Sequence, residues 1–167
     1  MNAVRGAALR CALACAIVVS LPACASGPQA VTAAAPEAVS LVQRTGADER
    51  GMRRYVLVVL KTGPTPVQDA EARKAMFAGH FANMQRWSEA GKLVLAGPFM
   101  QDADGWRGLY VFAVADKAEA RALAETDPVV AGGEMVAEYH DWYGSAALVL
   151  LPGQHAELER QAKPAAD

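Results

Sequence analysis

Arg54 to Lys61 (RYVLVVLK) is a strand with no polar side. Tyr55, Leu57 and Val59 alternate onto one face, and Val56, Val58 and Leu60 onto the other. Side chains this rich in β-branched and aromatic types favour extended backbone. A strand that is apolar on both faces must be covered on both, so the chain has to build a sheet with layers on either side. The stretch from Arg50 to Pro152, roughly 100 residues, suffices for one such domain and not for two.

The remaining elements follow in order. Thr62 to Thr65 breaks the chain, and Thr65-Pro66-Val67-Gln68 offers a capping box with proline at the first helical position. A long helix follows, with Met76, Phe77, His80, Met84 and Trp87 on one face and Gly91 as a left-handed stop. Lys92 to Phe99 is the second strand, and Pro98 marks it as an edge. After the polar turn Met100–Arg107, Gly108 to Ala115 returns antiparallel to it. Asp116 caps a second helix reaching about Glu125, Asp127-Pro128 opens a short turn, and Glu134 to Tyr143 is the last strand. Ser145 to Leu151 is apolar enough to pack onto the domain. The order β-α-β-β-α-β predicts an α+β, ferredoxin-like sandwich, with two helices on one face of a four-stranded antiparallel sheet. The other face is then expected to be free. Its apolar character predicts burial against a second copy, a homodimer paired through the sheet.

The first residues do not belong to this domain. Arg5 and Arg10 precede the apolar run Cys11–Leu21, too short to span a bilayer comfortably, which is the pattern of an export signal. Leu21-Pro22-Ala23-Cys24 resembles a lipobox, with Cys24 as the lipidated residue; Ala23-Cys24-Ala25 also fits ordinary signal cleavage. The lipoprotein reading is preferred, because a cysteine directly after a small residue at the end of the apolar run is hard to explain otherwise. The expected organisation is a signal over 1–23, an Ala/Pro-rich tether over 24–50, the domain over 51–152 and a polar, partly helical tail over 153–167. The implied location is the cell envelope, anchored by lipid alone. Ala25 in place of aspartate favours the outer membrane, and a soluble secreted protein is the second choice.

All three cysteines, Cys11, Cys15 and Cys24, lie at or before the proposed cleavage point, so the domain must be held by packing rather than disulfides. Removing the signal takes away two arginines and no acidic residue, which leaves the remainder more acidic than the whole chain at −2. That balance and the lack of a basic cluster with interleaved aromatics argue against a nucleic-acid partner. His80, His140 and His155 match no metal-ligand spacing, and no phosphate loop, nucleophile elbow or dinucleotide fingerprint is present. The expected cofactor is none.

One residue carries possible chemistry. His80 sits in an apolar helical stripe, where a neutral imidazole is favoured and can accept a proton near neutral pH. From spacing alone, a hydrogen-bonded core histidine is the more common outcome of such a pattern.

Several segments taken together resemble the YciI (YCII-related) family of the dimeric α+β barrel superfamily. They are His80, the passage Glu89–Pro98 (EAGKLVLAGP), the strand Gly108–Phe112 (GLYVF), an alanine-rich helix and Glu125–Gly132 (ETDPVVAG). The resemblance covers roughly Arg54 to Tyr143. It implies a ferredoxin-like subunit, a dimer with facing sheets, and a His-Asp active site between helix and sheet. Carried onto this chain, the histidine is His80 and the aspartate Asp127, which also reads as a plain N-cap before Pro128. Gly97 and Pro98 either end a strand or let the backbone close on a substrate. Family precedents are dehydrochlorination of a chlorinated hydroxyquinol and, in related folds, muconolactone isomerisation, neither using a metal or organic cofactor. They imply general acid/base work by His80 on a small ring or lactone-like compound, with electrophilic help from backbone N–H groups or Arg107. The competing reading is a non-catalytic dimeric lipoprotein that binds a small ligand at the cell envelope.

Overall fold

The structure, a computed structural model, describes residues 39–100 and 104–162. The signal, Cys24 and the tether up to residue 38 lie outside the described residues, as do residues 101–103 of the polar turn.

The doubly apolar strand is β1 (Met52–Thr62), and it occupies an inner position of the sheet. It pairs antiparallel with β3 (Trp106–Phe112), Val56 facing Phe112, and with β4 (Met135–Ser145), Tyr55 facing Trp142. β2 (Leu93–Pro98) lies antiparallel to β3 and completes the order β2-β3-β1-β4, so Pro98 is on an edge strand as its missing donor requires. Val56, Val58 and Leu60 join Tyr110 and Phe112 on one face of the sheet. Over them pack α2 (Ala70–Glu89), α3 (Lys117–Ala124) and the short α4 (Pro128–Ala131), through Trp87, Ala120 and Val129. The fold is α+β, as expected. Each large side chain sealed in this layer contributes about 1.5–3 kcal/mol, which makes it the main source of stability in a domain without cysteines.

Helix α2 starts later than the Thr65–Gln68 pattern predicts. Its N-cap is Asp69, whose carboxylate accepts the Ala72 N–H. The Thr65 N–H donates to the Gly133 carbonyl and the Val67 N–H to Glu134 Oε2 at 2.7 Å, so the backbone of this stretch is bound to the approach to β4. Pro66 therefore never enters the helix. At the other end Gly91, at φ +69°, closes α2 by donating its N–H to the Ser88 carbonyl, as its position predicts.

The second sheet face departs from the expectation of a free surface. After β4 the chain forms a 3-10 helix (Ala146–Leu150) and then α5 (Leu151–Ala162), which runs beside β2. Leu148 and Val149 pack on Tyr55, Val94 and Val111, so the chain's own C-terminal segment covers one end of this face. Two bonds fix the turn that sends it there, Tyr55 Oη to the Ser145 carbonyl at 2.8 Å and the Ala146 N–H to the Gly51 carbonyl at 2.9 Å. Leu95, Val136 and Trp142 stay exposed. The segment read as a polar tail from 153 is thus part of a helix that begins at Leu151, although none of its residues is buried. Likewise the last part of the expected tether holds α1 (Leu41–Thr45), capped by Ser40 and fastened by Arg53 Nη1 to the Thr45 carbonyl at 2.9 Å.

Candidate functional site

His80 lies where α2 crosses the helix-covered face of the sheet, and only 8% of it is exposed. Its apolar neighbours place it there: Met76, Phe77, Met84 and Trp87 all face the core beneath the helix. Two further features of α2 bring the turn before α4 up to it. Gly79 meets Pro128 so closely that a Cβ at that position would stand 2.9 Å from the proline ring. Asn83, itself buried, donates to the Thr126 carbonyl at 2.9 Å and accepts from Arg86 Nη2. Residues 126–128 are thereby pressed against α2, and Asp127 arrives beside His80.

Asp127 is fully buried, and its two oxygens divide the work. Oδ1 accepts the Val129 N–H at 3.2 Å, the N-cap of α4. Oδ2 accepts from His80 Nδ1 at 2.9 Å and from the Tyr110 hydroxyl at 2.7 Å. The N-cap and histidine-partner readings of Asp127 therefore hold together. Tyr110 Oη also lies 3.1 Å from His80 Nδ1, so the three polar groups form a closed triangle. Burial, reinforced by the charge and hydrogen bond of Asp127, pushes the Tyr110 phenol far above its ordinary value, and it stays a proton donor. With the carboxylate able only to accept, the Nδ1 of a neutral ring carries the proton and Nε2 is left with the lone pair.

His80 is part of the wall of an open cleft of about 340 Å³ between α2 and the hairpin β2–β3. Phe77, Phe81 and Met84 line it from the helix, Gly97, Pro98 and Phe99 from β2 and its end, Arg107 and Tyr110 from β3. Gly97 both stands near the end of its strand and lines the cleft, and a Cβ on it would meet nothing within 4 Å. Among the described residues lining the cleft, Arg107 is the one permanently charged side chain. Its charge also reaches Glu134, a carboxylate 2% exposed that is held by Arg73 Nη1 at 2.5 Å and the Val67 N–H. Those bonds keep Glu134 below the ordinary glutamate value, the Val67 bond first among them.

All five expected domain residues, His80, Asp127, Gly97, Pro98 and Arg107, accordingly belong to this one region. His140 does not; it is exposed on β4, far along the strand from Met135 at the floor of the cleft. Reasoning from the sequence missed Tyr110, Asn83 and Gly79. Tyr110 had a usable signal: it alternates with Phe112 onto the buried side of a strand, and a buried tyrosine hydroxyl needs a partner. Gly79 had a weaker one, a glycine inside a helix next to the candidate residue.

Residues 54–142 match the YCII-related domain. No curated protein matches the sequence. Among solved structures, the chain is similar to 5-chloro-2-hydroxyhydroquinone dehydrochlorinase (TftG) from Burkholderia phenoliruptrix AC1100, in complex with 2,5-dihydroxybenzoquinone. Identity is 18% over 53% of this chain and 92% of that one, with a TM-score of 0.42. With more than half of its length inside the match, the chain belongs to the YCII-related domain family.

Proposed function

We propose that the protein is an enzyme in which His80 acts as general base and then general acid on a small, largely apolar compound. The observation that carries this reading is the pairing of a cleft-lining imidazole, through Nδ1, with a fully buried carboxylate. Such a pair holds the ring in one tautomer, offers Nε2 to the cleft and stabilises the imidazolium once a proton has been taken. The proton leaves a carbon or oxygen acid of the substrate, whose electron pair either shifts to a new double bond or expels a leaving group. The imidazolium then returns the proton to the rearranged compound or gives it to solvent. Arg107 faces the negative charge that develops on the substrate, where an apolar wall would otherwise penalise it. The chain's own residues supply every group these steps use.

The export of this domain and its lipid anchor at Cys24 belong to the same proposal and rest on the sequence pattern of residues 1–24. So does the homodimer, for which the exposed Leu95, Val136 and Trp142 offer apolar surface next to the C-terminal segment.

The test is a deuterium-exchange screen in heavy water with small cyclic ketones, lactones and hydroxyquinones, read by proton NMR. Exchange or conversion that disappears in His80→Gln supports the reading. Saturable binding of these compounds with no exchange in the unsubstituted protein would replace it with a ligand-binding module.

A further inference from the structure

We propose that Tyr110 is a positioning residue that sets the basicity of His80 through the carboxylate oxygen the two share. The proposal deepens the acid/base reading above and rests on it for its functional meaning.

The argument is an inventory of protons. Asp127 Oδ2, His80 Nδ1 and Tyr110 Oη lie within 2.7–3.1 Å of one another, and only two protons are available to the three atoms. If the hydroxyl donated to Nδ1 instead, its oxygen would face the carboxylate at 2.7 Å with no proton between them, a repulsive contact in a buried site. The hydroxyl proton therefore goes to Oδ2, and the Nδ1 proton points at the same oxygen while grazing the phenol oxygen. One consequence is geometric: Tyr110 leaves the ring no second tautomer, so Nε2 remains the proton acceptor.

The other consequence is electrostatic. An imidazolium at position 80 is stabilised by whatever negative charge Asp127 still presents, and hydrogen bonds already received by a carboxylate reduce it. Asp127 receives one from Tyr110 and one from the Val129 N–H before His80 asks for any. Tyr110 thus tempers the pair, so that the ring can release a proton as well as take one. On α2, Arg73 is engaged by Glu134 and Arg86 by Asn83; Phe77, Phe81 and Met84 carry no charge. Arg107 is the charged side chain that β3 adds to the cleft wall; Tyr139 of β4 acts on Tyr110, and Glu134, just ahead of β4, is paired with Arg73.

The proposal is tested without a substrate, by following the His80 imidazole through a nitrogen-detected NMR titration in the full chain. Three proteins are compared: unsubstituted, Tyr110→Phe, and the chain with 3-fluorotyrosine placed site-specifically at 110, a stronger donor of the same shape. Tyr110→Phe is expected to raise the midpoint by about 0.5–1 pH unit, and the fluorinated side chain to lower it by a few tenths. The exposed His140 and His155 serve as references that do not move. A His80 midpoint that is unchanged in the fluorinated chain, or that moves in the opposite sense, overturns the proposal, and so does an Nδ1 found without its proton. The fluorinated chain decides the matter if Tyr110→Phe does not fold. Absent turnover together with the expected midpoints would sink the enzyme reading while leaving this one standing.

Discussion

Asp127→Ala is the sharpest perturbation of the site, because one buried carboxylate serves three donors. The substitution strips the acceptor from His80 Nδ1, Tyr110 Oη and the Val129 N–H at once. Each donor left without a partner in a buried place costs about 1–3 kcal/mol. Two effects reduce the sum. The variant no longer buries a charge, and the Tyr110 hydroxyl, 3.1 Å from Nδ1, can turn to the imidazole if the ring changes tautomer. The neutral donors left without a partner, less these two gains, give an expected loss of about 2–4 kcal/mol. Urea unfolding followed by circular dichroism, on a chain beginning at Ala38 where the compact unit starts, measures it. The same experiment in a Tyr110→Phe background should show a smaller loss, with a coupling of about 1–2 kcal/mol, since the orphaned hydroxyl is already gone. A loss below about 1 kcal/mol, or strict additivity of the two changes, would refute the reasoning that Asp127 is the shared acceptor of a closed polar triangle.

Gly79→Ala should destabilise the chain even though alanine is the better helix former by roughly 1 kcal/mol, because the added methyl runs into the Pro128 ring and overpacking costs about 1–3 kcal/mol. A gain in melting temperature would count against the close approach of α2 and α4. Glu134→Gln should remove a pH dependence. A carboxyl held below its ordinary value of 4.5 stabilises the fold above that pH and loses its effect as the pH falls through the lowered folded-state value. The stability gap between the two proteins should therefore narrow in urea titrations below pH 4.5, and a gap that stays constant down to pH 2 would contradict the assignment. Cys24→Ser should abolish incorporation of labelled palmitate when the full chain is expressed in a bacterium; unchanged labelling would remove the anchor from the proposal.

Alternation made the layers of the fold readable in advance. β1 shows apolar residues on both faces, Pro98 announces an edge, and Gly91 announces a stop; each is a local steric or hydrogen-bonding fact that tertiary context does not reverse. The failed capping box shows the limit. Thr65-Pro66-Val67-Gln68 has the right local chemistry, yet Glu134 and the Gly133 carbonyl, distant in sequence, claim its N–H groups. The site divides in the same way. His80 stands out as a polar residue in an apolar stripe, and Asp127 as a cap, so both are visible from their own segments. That they meet depends on Gly79, Asn83 and Pro128, a close contact between two helices that no periodicity encodes. Tyr110 was hidden for a simpler reason: in a strand of apolar residues its ring explains its presence, and only the partner of its hydroxyl reveals a second purpose.

The path of the C-terminal segment bears on how the protein is made. Tyr55, Val94 and Val111 belong to the first, second and third strands, yet the side chains that seal them, Leu148 and Val149, are synthesised after the whole sheet. While the ribosome is still adding residues beyond β4, this apolar end of the sheet stands open to whatever is nearby. A growing chain of this kind needs the turn that follows β4 before this end of the sheet is sealed. By the same logic, cutting the gene just after Ser145, where β4 ends, would freeze the protein in that unsealed stage of its own birth.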